Sequence, residues 1–170
     1  SQLAIWEQPR VGHLVAISGT PAQVLEVSLH YLKMQDMKMN MGVIGMGVMG
    51  KSLALNLAEN GVSVSLYNRF VAGKEEGIAQ KVLDENPEFT QTAAFEDLQA
   101  FVNSLATPRR ILMMIPAGAA IDAQLDALIP LLEKDDLVID GGNSFYLDSD
   151  RRVNRLKEVG MHFLPMGVSG

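Results

Sequence analysis

The sequence predicts an α/β fold, a doubly wound and mostly parallel sheet with helices on both faces. Three observations predict it. From Met41 onward, short apolar runs alternate with helix-forming segments. Two of those runs, Ile111-Leu112-Met113-Met114-Ile115 and Leu137-Val138-Ile139, are continuously apolar, as strands covered on both faces are. The first strand–helix corner, Gly42-Val43-Ile44-Gly45-Met46-Gly47-Val48-Met49-Gly50, breaks into G-x-G-x-x-G, which makes the predicted sheet Rossmann-like.

Residues 1–40 stand outside that alternation and read as an N-terminal extension of unassigned role; residues 41–170 form the nucleotide-binding domain. In the extension, Leu14–Ile17 reads as a strand. Thr20 and Pro21 open a helix as N-cap and first helical residue, and Val24, Val27, Leu29 and Leu32 carry its periodicity to about Lys38. In the domain, Val43 and Ile44 give the first strand. Ser52–Asn60 gives a helix with Leu53 and Leu57 on one face and Gly61 closing it. Val62–Tyr67 is the second strand. A polar helix follows from about Ala72 to Glu85, stopped by Asn86-Pro87, and another from about Phe95 to Leu105, stopped by Thr107-Pro108. The Ile111–Ile115 strand ends at Pro116-Ala117-Gly118. The helical region Ala119–Glu133 is broken by Pro130. The strand Leu137–Ile139 leads into Asp140-Gly141-Gly142-Asn143-Ser144. A helix from about Asp148 to Val159 stops at Gly160, and Met161–Leu164 is the last strand.

Bulk properties narrow the function. At 170 residues, 48% hydrophobic and 20% charged, the chain is an ordinary soluble domain with a real core. A formal net charge of −6 argues against a nucleic-acid partner, although a local basic pocket for a small phosphorylated ligand remains compatible with it. There are no cysteines, hence no disulfide, thiolate metal site or nucleophilic thiol. No apolar run approaches the ~20 residues that span a bilayer, and the N-terminus lacks the pattern of a signal peptide. The expectation is a cytoplasmic protein with no membrane partner. The start at Ser1 and the stop at Gly170, just after an apolar run, suggest a piece of a longer chain.

The glycine turn is suited to a diphosphate, because bare backbone N–H groups face it at the positive end of a helix. Eighteen residues after Gly50 the chain carries Asn68-Arg69. An acidic residue there would accept from a ribose 2′-hydroxyl and repel a phosphate. Neutral Asn68 and cationic Arg69 instead point to NADP rather than NAD. The competing reading is an ordinary β-turn-α corner with Arg69 as a solvated charge. Four loops belong together at the carboxyl ends of the strands: Gly45–Gly50, Asn68–Phe70, Ile115–Ala117 and Asp140–Ser144. They hold no histidine and a single carboxylate, Asp140, so no metal is expected. Asn143 reads as an amide bridging substrate and cofactor or as a helix cap; the glycines before it favour the bridge. Met46 and Met49 read as packing residues, and His162 as structural, with His13 and His30 outside the nucleotide unit. Arg109-Arg110 and Arg151-Arg152 read as surface charge.

Taken together, Gly45–Gly50, Asn68-Arg69, Pro108-Arg109-Arg110-Ile111, Pro130-Leu131-Leu132, the block Asp140–Ser144 with Tyr146, Asp148, Arg151 and Arg152, and Gly167-Val168-Ser169-Gly170 resemble the coenzyme domain of the decarboxylating 6-phosphogluconate dehydrogenases. The resemblance covers residues 41–170. It implies NADP-dependent oxidation of 6-phosphogluconate followed by decarboxylation to ribulose 5-phosphate, in the pentose phosphate pathway, without a metal and in a homodimeric parent enzyme. It also implies that Gly45, Met46, Gly47, Val48, Met49 and Gly50 hold the diphosphate, that Asn68, Arg69 and Phe70 surround the 2′-phosphate, and that Ile115, Pro116 and Ala117 border the cofactor. Asn143 would touch both substrate and cofactor, and Ser169 and Gly170 would begin the substrate-binding turn. Phe70 stands where a Thr is common in the family, and Pro116 where many members carry Lys. The family's catalytic Lys and Glu lie on a later helical domain, so no catalytic residue is assigned here and the chain alone is expected to bind cofactor without turnover. Two alternatives stand beside this: a coenzyme domain for another 3-hydroxyacid, such as a hydroxyisobutyrate-type substrate, and a non-catalytic NADP-binding module. The codons after Gly170 separate the module from the enzyme.

Overall fold

The computed structural model describes residues 2–7, 14–26, 29 and 37–168, with the backbone alone for 2–7 and 14–18. The chain forms two compact units, Ser1–Lys38 and Met39–Gly170. In the first, β1 (Gln2–Glu7) pairs antiparallel with β2 (Leu14–Gly19), and α1 occupies residues 21–26. The start of α1 is a reciprocal capping box: the Gln23 amide donates to Thr20 Oγ1 at 3.3 Å, and the Thr20 amide donates to Gln23 Oε1 at 3.0 Å. The expected strand at 14–17 lies inside β2, while β1 was not anticipated. Val27 and Leu32, on which the longer helix rested, lie outside the described residues.

The second unit is one six-stranded sheet, built of β3 (Met41–Ile44), β4 (Val64–Tyr67), β5 (Thr92–Phe95), β6 (Arg110–Met113), β7 (Leu137–Asp140) and β8 (His162–Pro165). Their order is β5-β4-β3-β6-β7-β8, and every adjacent pair is parallel. Five helices connect them: α2 (Val48–Glu59), α3 (Ile78–Asp84), α4 (Leu98–Asn103), α5 (Ala119–Leu128) and α6 (Tyr146–Glu158). The strand order turns back at β3, so the chain leaves β3 and β6 toward opposite sides and opens a crevice between them.

Alternation along the strands builds two cores. Val43, Leu66, Leu112 and Ile139 pack with Ala54 of α2 and Ala79 and Val82 of α3. Ile44, Tyr67, Ile111, Met113 and Val138 pack on the other side with Phe101 of α4, Ile121 and Leu125 of α5 and Leu156 of α6. A fully buried side chain of this size contributes ~1.5–3 kcal/mol, so apolar runs that are poor amphipathic signals become strong ones when both faces are covered.

Several element boundaries differ from the sequence reading. α2 buries Gly50 and Ala54, small residues four apart, while Leu53 and Leu57 are only partly buried. The helix thereby lies close to the sheet. Both α2 and α6 end in Schellman turns with left-handed Gly61 (φ 80°) and Gly160 (φ 76°), as those glycines suggested. The polar helix starts at Ile78 and not at Ala72, because Gly73 (φ 72°) and Gly77 (φ 62°) take left-handed conformations and Val71 pairs back onto Glu75. Residues 92–95, adjoining the second expected helix, form β5, and Asp97 caps α4 by accepting from the Ala100 amide at 2.6 Å. Pro130 ends α5 at Leu128 and leaves the 3₁₀ turn Ile129–Leu131. Arg109, expected at the surface, is buried: its guanidinium meets Asp136 at 2.9 Å and the Val102 carbonyl at 3.2 Å. Among the described residues no helix is long and apolar enough to cross a membrane.

Candidate functional site

Because all six strands run the same way, the loops after β3, β4, β6 and β7 leave from one edge of the sheet. The three glycines of the β3–α2 corner each meet a different demand. Gly45 has φ 95°, and a Cβ there would sit 2.4 Å from the Met114 carbonyl oxygen. Gly50 lies against the end of β3, where a Cβ would fall 1.8 Å from the Gly45 carbonyl oxygen. Gly47 has nothing within 4 Å of its Cβ position, so its open face admits a ligand close to the backbone. Gly47 is also the N-cap of α2, which has no side-chain cap and no acidic residue in its first turn. Among the described residues, the amides of Gly47, Val48, Met49 and Gly50 find no acceptor. Four unpartnered N–H groups at the positive end of a twelve-residue helix attract an anion.

Asn68 ties this corner to the end of β4. Its Oδ1 accepts from the Met46 amide at 3.0 Å, and its Nδ2 donates to the Arg69 carbonyl at 3.2 Å and to Glu75 Oε2 at 3.0 Å. The Met46 amide is thus occupied within the fold, and the Met46 side chain lies in the core. Arg69 extends outward, its side chain 71% exposed, and donates from Nε (3.2 Å) and Nη2 (2.9 Å) to Glu75 Oε1. Hydrogen bonds from Arg69 and then Asn68 hold the Glu75 carboxyl below its ordinary range. Phe70 is exposed. Sequence reasoning missed Glu75 because it placed that residue on a helix.

On the other side of the crevice, Ile115 is partly buried beside Gly45, while Pro116 and Ala117 are exposed. The Asp140–Ser144 turn is organised from below. Asp140 is 1% exposed; it accepts from the Gly142 amide at 2.9 Å and from Ser144 Oγ at 2.5 Å. Arg152, expected in solvent, is 0% exposed. Its Nε and Nη2 donate to Asp122 at 3.0 Å each, Nη2 also reaches the Gly118 carbonyl at 3.0 Å, and Nη1 reaches Ser144 Oγ at 3.4 Å and lies 3.9 Å from Asp140. One guanidinium therefore joins α6, the start of α5 and the turn. Asn143 is exposed, and its side chain makes no hydrogen bond with a described residue. It does not cap α6, whose N-cap is Phe145 with no side-chain bond. Ser169 and Gly170 lie outside the described residues. Just before them, the Val168 amide donates to the Gly141 carbonyl at 3.2 Å.

Met49 is exposed. His162 faces solvent, 3.7 Å from Asp135, and His13 and His30 lie outside the described residues. Among the described residues no three His, Asp or Glu side chains converge as a metal site. A cavity of about 250 Å³ bordered by Ala58, Gly61, Phe89 and Thr92 lies at the amino ends of β4 and β5, away from the glycine corner.

Known proteins resemble this chain. A family model described as the NAD binding domain of 6-phosphogluconate dehydrogenase matches residues 40–170. The NADP(+)-dependent, decarboxylating 6-phosphogluconate dehydrogenase of Bacillus subtilis is 49% identical over 133 residues, which are 78% of this chain and 27% of that protein. The decarboxylating enzyme of Chlamydia pneumoniae is 46% identical over 134 residues, 79% of this chain and 27% of that one. The chain thus spans about a quarter of the length of these relatives. Among solved structures, the 6-phosphogluconate dehydrogenase of Plasmodium falciparum, known in apo form and with its cofactor NADP+ and its substrate 6-phosphogluconate, superposes with a TM-score of 0.69 at 32% identity, covering 77% of this chain and 27% of that one. A 3-hydroxyisobutyrate dehydrogenase of Mycobacterium tuberculosis has a TM-score of 0.64 at 19% identity, over 79% of this chain and 42% of that one, and shares the fold.

Proposed function

We propose that this chain, which belongs to the family of 6-phosphogluconate dehydrogenase NAD binding domains, seats NADP in a decarboxylating 6-phosphogluconate dehydrogenase. One observation carries the reading: the unpartnered amides of Gly47–Gly50 open onto the same sheet edge as the outward-reaching guanidinium of Arg69. Gly47, with no neighbour at its Cβ position, leaves the room a diphosphate needs. Arg69 supplies the charge for a 2′-phosphate, and exposed Phe70 offers a flat face beside it. Ile115, Pro116 and Ala117 form the opposite wall, and Met46 shapes the corner from the core side.

NADP held by the glycine corner and Arg69 would supply the hydride acceptor. The chain's own residues hold and orient. Asn143, free at the turn above Asp140, is placed to donate to one ligand and accept from the other. By resemblance, Ser169 and Gly170 begin the substrate-binding turn. No residue of this chain is assigned a proton-transfer role, so the chain is expected to bind cofactor without oxidising 6-phosphogluconate. The resemblance implies a cytoplasmic, homodimeric enzyme of the pentose phosphate pathway as the setting in which this domain acts.

Calorimetric titration tests this. NADP is expected to bind at least ~10-fold tighter than NAD, and Arg69→Ala to remove most of that preference, because a charge-assisted contact to phosphate is lost. Equal affinities in the unsubstituted chain overturn the cofactor assignment. Steady NADPH formation from 6-phosphogluconate by this chain overturns the expectation that it lacks the proton-transfer groups.

A further inference from the structure

We infer that Glu75 is a specificity-determining residue that competes with the cofactor's 2′-phosphate for Arg69, and so narrows the preference for the phosphorylated dinucleotide. The inference rests on the reading of Arg69 given above.

The turn after β4 is built to deliver this carboxylate. Val71 and Glu75 form a two-residue antiparallel bridge, with the Val71 amide on the Glu75 carbonyl and the Glu75 amide on the Val71 carbonyl, both at 2.7 Å. Left-handed Gly73 (φ 72°) closes the turn. The chain thereby folds back on itself, and Glu75 meets Asn68 and Arg69 seven and six residues earlier. One carboxylate oxygen takes two donors from the guanidinium, at 3.2 and 2.9 Å; the other takes the Asn68 amide at 3.0 Å. Asn68 in turn fixes the glycine corner through the Met46 amide. A negative group therefore stands on the edge of the guanidinium that faces Asn68.

A phosphate reaching Arg69 meets this carboxylate first. It must displace Glu75 from Nε and Nη2, or share the guanidinium and lie beside a like charge. A ribose bearing only a hydroxyl meets neither difficulty. The cost falls on NADP alone, and it is moderate because the pair is exposed and water screens it.

Glu75→Gln is the diagnostic change, since the amide oxygen still accepts from Asn68 while the charge is gone. In parallel titrations of the unsubstituted chain, Glu75→Gln and Arg69→Ala with NADP and NAD, Glu75→Gln is expected to tighten NADP about two- to fivefold and to leave NAD unchanged. Equal tightening of both cofactors, no change, or weaker NADP binding overturns the inference, the last by making Glu75 a positioner of Arg69. If Arg69→Ala leaves NADP affinity intact, the underlying reading of the site falls as well. A thermal melt of Glu75→Gln matching the unsubstituted chain shows that the affinity readout is not a folding effect.

Discussion

Replacing Arg152 by Met should destabilise this domain strongly. The side chain is fully buried and its three nitrogens serve two carboxylates, a carbonyl and a hydroxyl. Methionine fills most of the volume but leaves the Gly118 carbonyl without that donor, Asp122 without its two bonds from Arg152, and buried Asp140 without a cation. Removing one partner of a buried ion pair costs ~3–5 kcal/mol, because the remaining charge stays desolvated. For a unit of this size that lowers the thermal midpoint by roughly 10–20 °C. Neighbouring Arg151 provides the control. It bonds the same Asp122, at 2.9–3.0 Å, but is 52% exposed, so Arg151→Met should leave the melt nearly unchanged. Urea and thermal denaturation of the two variants decide the matter. Equal, small shifts would mean that burial of Arg152 is energetically idle and that the turn above it stands without its help.

The glycine corner yields a contrast of the same kind. Gly50→Ala should destabilise the fold and weaken dinucleotide binding more than tenfold, since its Cβ would overlap the Gly45 carbonyl, whereas Gly47→Ala should melt normally and still bind poorly, because its Cβ enters only ligand space; equal melts for the two would contradict the assignment. Acid sensitivity should trace to Asp122. Its carboxyl is held far below the ordinary range, first by hydrogen bonds from Arg152 and then from Arg151. A group with a depressed folded pKa contributes stability that is complete above its unfolded pKa, about 4, and is lost as pH falls below that value. Asp122→Asn should therefore flatten the acid limb of stability against pH by up to ~1.4 kcal/mol per unit, and parallel limbs in denaturation series would argue that Asp122 is not the titrating group.

How much of this was legible beforehand depended on the range of the interaction involved. The glycine corner was legible because its requirements are local: a left-handed φ at Gly45, a close approach at Gly50, open space at Gly47. The central strands were legible because burial on both faces leaves unbroken apolar runs. β5 was not, since Thr92-Ala93-Ala94-Phe95 has one β-branched residue and gains its strand state from pairing with β4. Arg109 and Arg152 were misread because their partners Asp136 and Asp122 lie 27 and 30 residues away, and nothing in a pair of adjacent arginines reveals which is buried. Glu75 did leave a signal. Gly73 and Gly77, four apart in a polar stretch, are poor helix residues and good turn residues, and that spacing marks the fold-back which brings the carboxylate to Arg69.

The two walls of the crevice solve one problem in the same way. A turn that must let a ligand reach the backbone carries glycines, and glycines leave it without side chains to hold its shape while raising the entropy lost on ordering it. Each turn is accordingly pinned by a polar side chain at a strand end that bonds a turn amide: Asn68, after neighbouring β4, to Met46 on one side, and Asp140, at the end of β7, to Gly142 on the other. Each pin is itself held by a charged residue brought back by the chain, Glu75 for Asn68 and Arg152 for Asp140. The signs are opposite, and the placement differs with them. The cation is buried under the turn, where it neutralises Asp140 and faces no ligand; the anion lies at the exposed rim, where it meets whatever Arg69 is offered. The asymmetry predicts stability effects from Arg152 and selectivity effects from Glu75, although the two residues occupy equivalent steps in the same scheme.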